Sequence, residues 1–122
     1  MGCDIHAFLE RKDGDKWKFF QEVDIDQSYT LFALMAGTLR RPDIEPVIEA
    51  KGIPNDMSIE VADWWYNDPD RHTPSWLTLD EVSVAALRLL VLEGCRILDK
   101  VLSTMEAIAA EYPVRLVFWF DN

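Results

Sequence analysis

A chain of 122 residues, 49% hydrophobic and 28% charged, has the size and balance of one folded domain spanning residues 1–122, which excludes disorder and fibrous repeats. Twelve basic against 22 acidic residues leave a net charge of −10, the wrong sign for a protein that grips nucleic acid or anionic membrane by neutralising phosphates. No apolar run approaches the roughly 18 residues of a membrane span, no signal-peptide pattern opens the chain, and two cysteines, Cys3 and Cys95, fit a reduced compartment; the expectation is a cytoplasmic protein with no membrane partner.

From Gly2 to Glu10 the residues alternate, with Cys3, Ile5, Ala7 and Leu9 on one face and Asp4, His6, Phe8 and Glu10 on the other, which predicts a half-buried first strand. The Asp13-Gly14 turn signal then predicts a hairpin, with a second strand over 16–23. Asp26 or Ser28 is placed to cap a short helix that stops at Gly37. The stretch 37–57, with Pro42, Pro46, Gly52 and Pro54, predicts an irregular excursion. Ser58 is placed to cap a helix running to about Tyr66, and Asn67 to Ser75, with Pro69 and Pro74, predicts a turn-rich loop.

Thr78 followed three residues later by Glu81 forms a capping-box pattern before the apolar stripe Val82, Ala85, Ala86, Leu89 and Leu90. The helical pattern continues to about Glu111, with Gly94 as its break or bend, giving helices of roughly 14 and 16 residues. After Pro113, the β-branched and aromatic run Val114–Phe120 predicts a last strand. The expected fold class is α+β: a small antiparallel sheet, made of the N-terminal hairpin and the C-terminal strand, packed against helices. Antiparallel pairing of the first and last strands would bring Asp4 and His6 near Asp121.

Asp4 and His6, two apart on a strand, share a face at a spacing of roughly 6.5–7 Å, suited to a common metal ion or proton transfer. Metal-dependent phosphoesterases of the calcineurin-like type also carry Asp-x-His near a first strand. Their further Gly-Asp and Gly-Asn-His-Asp motifs are absent from this chain. His72 stands beside Ser75 and Trp76 in the polar loop, and joins His6 as the second of two histidines. Arg115, Trp119 and Asp121 share one face of the last strand, a combination of guanidinium, indole and carboxylate that suits a planar charged ligand. Arg40-Arg41 is the one doubled arginine, Trp64-Trp65-Tyr66 reads chiefly as core, and Cys3 and Cys95 read as small apolar filling.

The segments Gly2-Cys3-Asp4-Ile5-His6, His72 through Ser75-Trp76-Leu77-Thr78-Leu79, and Val114 to Asn122 together resemble a family of small bacteriophage and prophage proteins that begin Met-Gly-Cys-Asp-Ile-His. The resemblance implies a phage accessory protein in a bacterial cytosol and supplies no mechanism.

Three functions follow as expectations. The first is binding of a small ligand by Asp4, His6, His72, Ser75, Trp76, Arg115, Trp119 and Asp121, in the form of a sponge for a nucleotide-derived host immune signal. The second is a hydrolase or phosphoesterase that uses a divalent metal held by Asp4, His6, His72 and Asp121. The third is an acidic inhibitor of a host nucleic-acid enzyme, disfavoured because acids and bases are interspersed along the chain. Self-association as a homo-oligomer is compatible with all three.

Overall fold

The computed structural model describes residues 2–37 and 40–122. Met1 of the Met-Gly-Cys start, and Thr38 and Leu39 at the start of the irregular segment, lie outside the described residues. The elements are β1 (Asp4–Asp13), β2 (Lys16–Val23), α1 (Tyr29–Ala36), α2 (Ile59–Asn67), β3 (His72–Thr78), α3 (Leu79–Glu93), α4 (Asp99–Ala109) and β4 (Val114–Asp121). They form an α+β fold around one antiparallel sheet of strand order β2-β1-β4-β3. Among the described residues no helix is long and apolar enough to cross a membrane.

The sheet carries a core on each face. Cys3, Ala7, Leu9, Leu116, Phe118 and Phe120 face α1, α3 and α4 across a large apolar core that includes Phe32, Leu89 and Met105. On the other face, Phe8, Val117 and Trp119 meet Val61 of α2, with Ile53, Met57 and Trp65 packed around them. Covering on both faces explains why β4 is an almost continuous apolar run, buried from Val114 to Phe120. The irregular segment serves both layers. Ile44 packs into the larger core and the Val47 amide bonds to the Leu34 carbonyl at 2.7 Å, while Ile53 and Met57 reach the smaller core.

Local chemistry sets the helix ends. Ser28 Oγ accepts from the Leu31 amide at 3.1 Å, and α1 stops at Gly37, whose φ of 67° is a left-handed conformation open to glycine without steric cost. Thr78 and Glu81 close the expected capping box: Thr78 Oγ1 accepts from the Glu81 amide at 3.3 Å, and Glu81 Oε1 accepts from the Thr78 amide at 2.9 Å.

The largest departure of the sheet from the sequence expectation is an added strand. Residues 72–78, expected as a turn-rich loop ending at Trp76-Leu77 with Thr78 as a helix cap, form an additional strand of the sheet. Proline argues against a central strand, yet β3 lies at the sheet edge, where Pro74 sits in a register shift between His72 and Ser75 and no second ladder needs its missing N–H. Strand β1 runs later than expected, to Asp13, because the hairpin closes across the two residues Gly14 and Asp15. The break between the last helices spans residues 94–98, so α4 is shorter, at 11 residues, than the expected 16.

Candidate functional site

The expected neighbourhood of the first and last strands is present. Strand β1 pairs antiparallel with β4, with Asp4 opposite Asp121 and His6 opposite Trp119. His6 Nε2 lies 2.5 Å from Asp121 Oδ2 in a short hydrogen bond to the carboxylate. The third participant comes from outside the sheet. Asp68, the residue that ends α2, places Oδ2 3.8 Å from His6 Nε2 and accepts the Trp119 indole N–H at 3.1 Å on the same oxygen. One ligand atom each from His6, Asp68 and Asp121 falls within 4.8 Å of the others, all three side chains partly exposed.

Two polar ties hold α2 where it presents Asp68. At the helix start, Glu10 is fully buried, and its Oε2 accepts the Ser58 amide at 2.6 Å while Ser58 Oγ caps the helix through the Val61 amide at 3.3 Å. A carboxylate at a helix N-terminus is favoured by the exposed N–H groups there. Arg115, opposite Glu10 in the register, neutralises it by donating Nε to Oε1 at 2.8 Å, and donates NH1 to Asp56 at 3.0 Å. At the helix end, the buried Trp119 requires a partner for its indole N–H and takes Asp68. Between the two ties, Val61 and Trp65 pack on the sheet.

His6, Asp68 and Asp121 open on a cleft of about 320 Å³ whose walls include Trp64, Phe8, Glu22 and Asn67. Trp64 stacks on Phe8 with ring centroids 4.8 Å apart and keeps 40% of its surface exposed. Acids line the cleft, and no lysine or arginine is among its described lining residues. Such a site attracts a cation directly, and reaches an anion only through one.

The eight residues expected to share a ligand separate into distinct places. His6, Trp119 and Asp121 line the cleft. Asp4 faces Asp121 in the register but is exposed and is not one of the three converging groups. His72 pairs with Phe120 and so lies on the opposite face from His6, which pairs with Trp119; the expected four-residue set of Asp4, His6, His72 and Asp121 does not assemble. Ser75 is fully buried and accepts the Lys51 amide at 2.9 Å, a contact that fastens the irregular segment to β3. Trp76 lies under Lys51 Nζ at 3.8 Å. Arg115 is 3% exposed, held between Glu10, Asp56 and the Trp17 ring 4.0 Å away, and does not reach the cleft. The ligand-facing role expected for Arg115 is therefore replaced by a structural one.

Sequence reasoning missed Asp68, which lies within the stretch Asn67 to Ser75 read only as a turn-rich loop. One signal pointed to it: a tryptophan on a buried strand face needs an acceptor, and the polar turn after α2 is rich in carboxylates. Comparison with protein-family models, with curated proteins and with solved structures finds no match to this chain.

Proposed function

We propose that the chain binds a small phosphorylated ligand through a divalent cation held by His6, Asp68 and Asp121, and acts on it as a metal-dependent phosphoesterase. The observation that carries this reading is the convergence of one imidazole and two carboxylates within 4.8 Å at the floor of an acidic cleft. Imidazole and carboxylate together suit zinc or a comparable first-row ion, and three protein ligands leave a position for water or substrate. A cation there would polarise a phosphoryl oxygen and lower the pKa of bound water.

The half-exposed face of Trp64 offers a stacking surface for a flat ring, which favours a nucleotide over a simple phosphate. The same feature supports a second reading, in which the protein retains a nucleotide-derived signal without turning it over. Likeness to small phage proteins suits such an accessory role in a bacterial host.

Titration calorimetry and native mass spectrometry with Mg²⁺, Mn²⁺ and Zn²⁺ test the metal. One ion per chain is expected, with Asp68→Asn weakening it on the order of tenfold or more. Equal binding by Asp68→Asn, or no uptake at millimolar metal, would overturn the reading. Incubation of the loaded protein with cyclic and linear nucleotides then separates the two roles, through hydrolysed product in one and intact retained nucleotide in the other.

A further inference from the structure

On the opposite face of the same sheet end lies a second group that the metal reading leaves unused. Cys3 Sγ lies 4.0 Å from His72 Nε2, and both line a pocket of about 240 Å³ with Tyr29, Arg40 and Asn122. We propose that Cys3 and His72 are a nucleophile and its base for acyl transfer from a small ester or thioester that carries an anionic group. His6, Asp68 and Asp121 are not among the residues that line this pocket.

The surroundings of Cys3 fix its backbone from both sides. Its amide donates to Tyr29 Oη at 3.3 Å and its carbonyl accepts the Gln27 amide at 2.9 Å. Gly2 leaves room for that amide, since a Cβ there would lie 2.5 Å from Gln27 Nε2. The His72 ring is held equally firmly. Thr73 Oγ1 meets Nδ1 at 2.9 Å, Asn122 Oδ1 meets Nε2 at 2.5 Å, and Phe120 stacks on the ring at 6.1 Å. Thr73 has a φ of +50°, an uncommon conformation for a β-branched residue, and it stands in the register shift that turns His72 toward Cys3.

Burial pushes the Cys3 thiol above its ordinary pKa, with Asp121 and Asp4 acting in the same direction and Arg40 opposing them. The resting group is thus a thiol, which needs a base at the moment of attack. With its own proton on Nδ1, donated to Thr73 Oγ1, His72 offers Nε2 to the thiol proton. For this the Asn122 amide, whose Oδ1 lies 2.5 Å from Nε2, swings off the ring to free that lone pair, and its NH₂ is then placed for the developing oxyanion.

In the first half-reaction the Sγ–C bond forms, the ester C–O bond breaks, and the leaving alcohol takes the proton that His72 received from the thiol. In the second, water adds to the thioester carbonyl, His72 takes its proton, and the C–S bond breaks to release a carboxylic acid. The returning proton restores the thiol, so the sum is ester and water giving acid and alcohol. Arg40, whose guanidinium stacks on Tyr29 at 4.9 Å at the rim, supplies the positive charge for an anionic acyl chain.

The test uses the full chain carrying Cys95→Ser, which removes the other cysteine, in EDTA so that metal-dependent hydrolysis is silent. The probes are p-nitrophenyl acetate and the mono-p-nitrophenyl ester of succinic acid, followed by p-nitrophenolate release and by the mass of the Cys3 peptide. Expected are one acyl group on Cys3 per chain, faster reaction of the succinyl ester, and a fall on the order of 100-fold in acylation rate for His72→Gln. Loss of the succinyl preference in Arg40→Gln is also expected, and circular dichroism will report whether each variant is folded. Absence of acylated Cys3 in the folded protein, or an unchanged acylation rate in folded His72→Gln, would overturn the proposal. Neither outcome touches the metal reading, because no metal is present in the assay.

Discussion

The two faces of the sheet are built on different principles. Toward α1, α3 and α4 the contacts are apolar, and the geometry follows from the burial of periodic hydrophobic stripes. Toward α2 the apolar core is small, and the helix is located by a buried ion pair at one end and an indole-to-carboxylate hydrogen bond at the other. Hydrophobic burial is non-directional, whereas these polar ties specify which residue of α2 meets which residue of the sheet. The convergence of Asp68 with His6 and Asp121 is accordingly found on the second face.

The largest effect should come from the tie at the helix start. Arg115→Ala leaves Glu10 buried without its cation, a loss of about 3–5 kcal/mol where one partner of a buried pair is removed. Urea unfolding should show that loss, and hydrogen exchange should lose protection in 59–67 before the α1, α3 and α4 layer loses it. A cost below about 1 kcal/mol would mean that apolar packing alone seats α2.

At the other tie, Trp119→Phe keeps most of the ring packing and deletes the N–H that Asp68 accepts. The expected stability loss is about 1–2 kcal/mol, smaller than for Arg115 because Asp68 keeps some access to water. Its sharper consequence concerns metal uptake, which should weaken on the order of 10–100-fold as for other outer partners of metal ligands. Unchanged metal affinity would show that Asp68 is positioned by its own turn.

What was legible in the sequence divides along the same line. The capping residues Ser28, Ser58 and Thr78, the hairpin at Gly14 and the register that sets Asp4 opposite Asp121 all follow from local signals or from one pairing. The edge strand β3 was hidden by Pro74, since proline marks a turn unless the strand's edge position is already known. Asp68 was illegible for a different reason: its partners Trp119 and His6 lie 51 and 62 positions away in sequence, and only the docking of α2 brings them together. The same ignorance of sheet faces made His72 look like a companion of His6, because β3 was not expected to pair with β4 at all.

The capping box offers a smaller probe, on the apolar face. Thr78→Ala removes the acceptor for the Glu81 amide and should cost about 0.5–2 kcal/mol. Burial opposes ionisation of Glu81, but hydrogen bonds from Lys51 and from the Thr78 amide outweigh it and hold its carboxyl below the usual 4.5. A depressed carboxyl pKa contributes stability that is fully present above pH 4.5 and is lost as pH falls through the folded value. Lys51→Met, which deletes the cation 2.5 Å from Glu81 Oε1, should therefore flatten the acid limb of the stability profile. An acid limb identical to that of the native chain would remove Glu81 from the account.

The smallest expected effect is the most discriminating one for the two histidines. His6 touches Asp121 and Asp68 on the α2 face, whereas His72 touches Cys3, Thr73 and Asn122 on the other, and among the described residues no bonding partner is common to both. Two changes without a shared partner add within about 0.3–0.5 kcal/mol, whereas two changes in one site do not. The double substitution His6→Ala with His72→Ala should thus equal the sum of the singles in urea unfolding. Adjacent Asp121 and Asn122 offer the shortest covalent path between the sites, since each anchors a different histidine. A coupling above about 0.5 kcal/mol would mean that the end of β4 moves as a unit, and that metal loading at His6 is felt by the Cys3 pocket. Additivity in stability together with separate losses, of metal uptake in His6→Ala and of Cys3 acylation in His72→Ala, would establish two sites sharing one sheet end and operating independently.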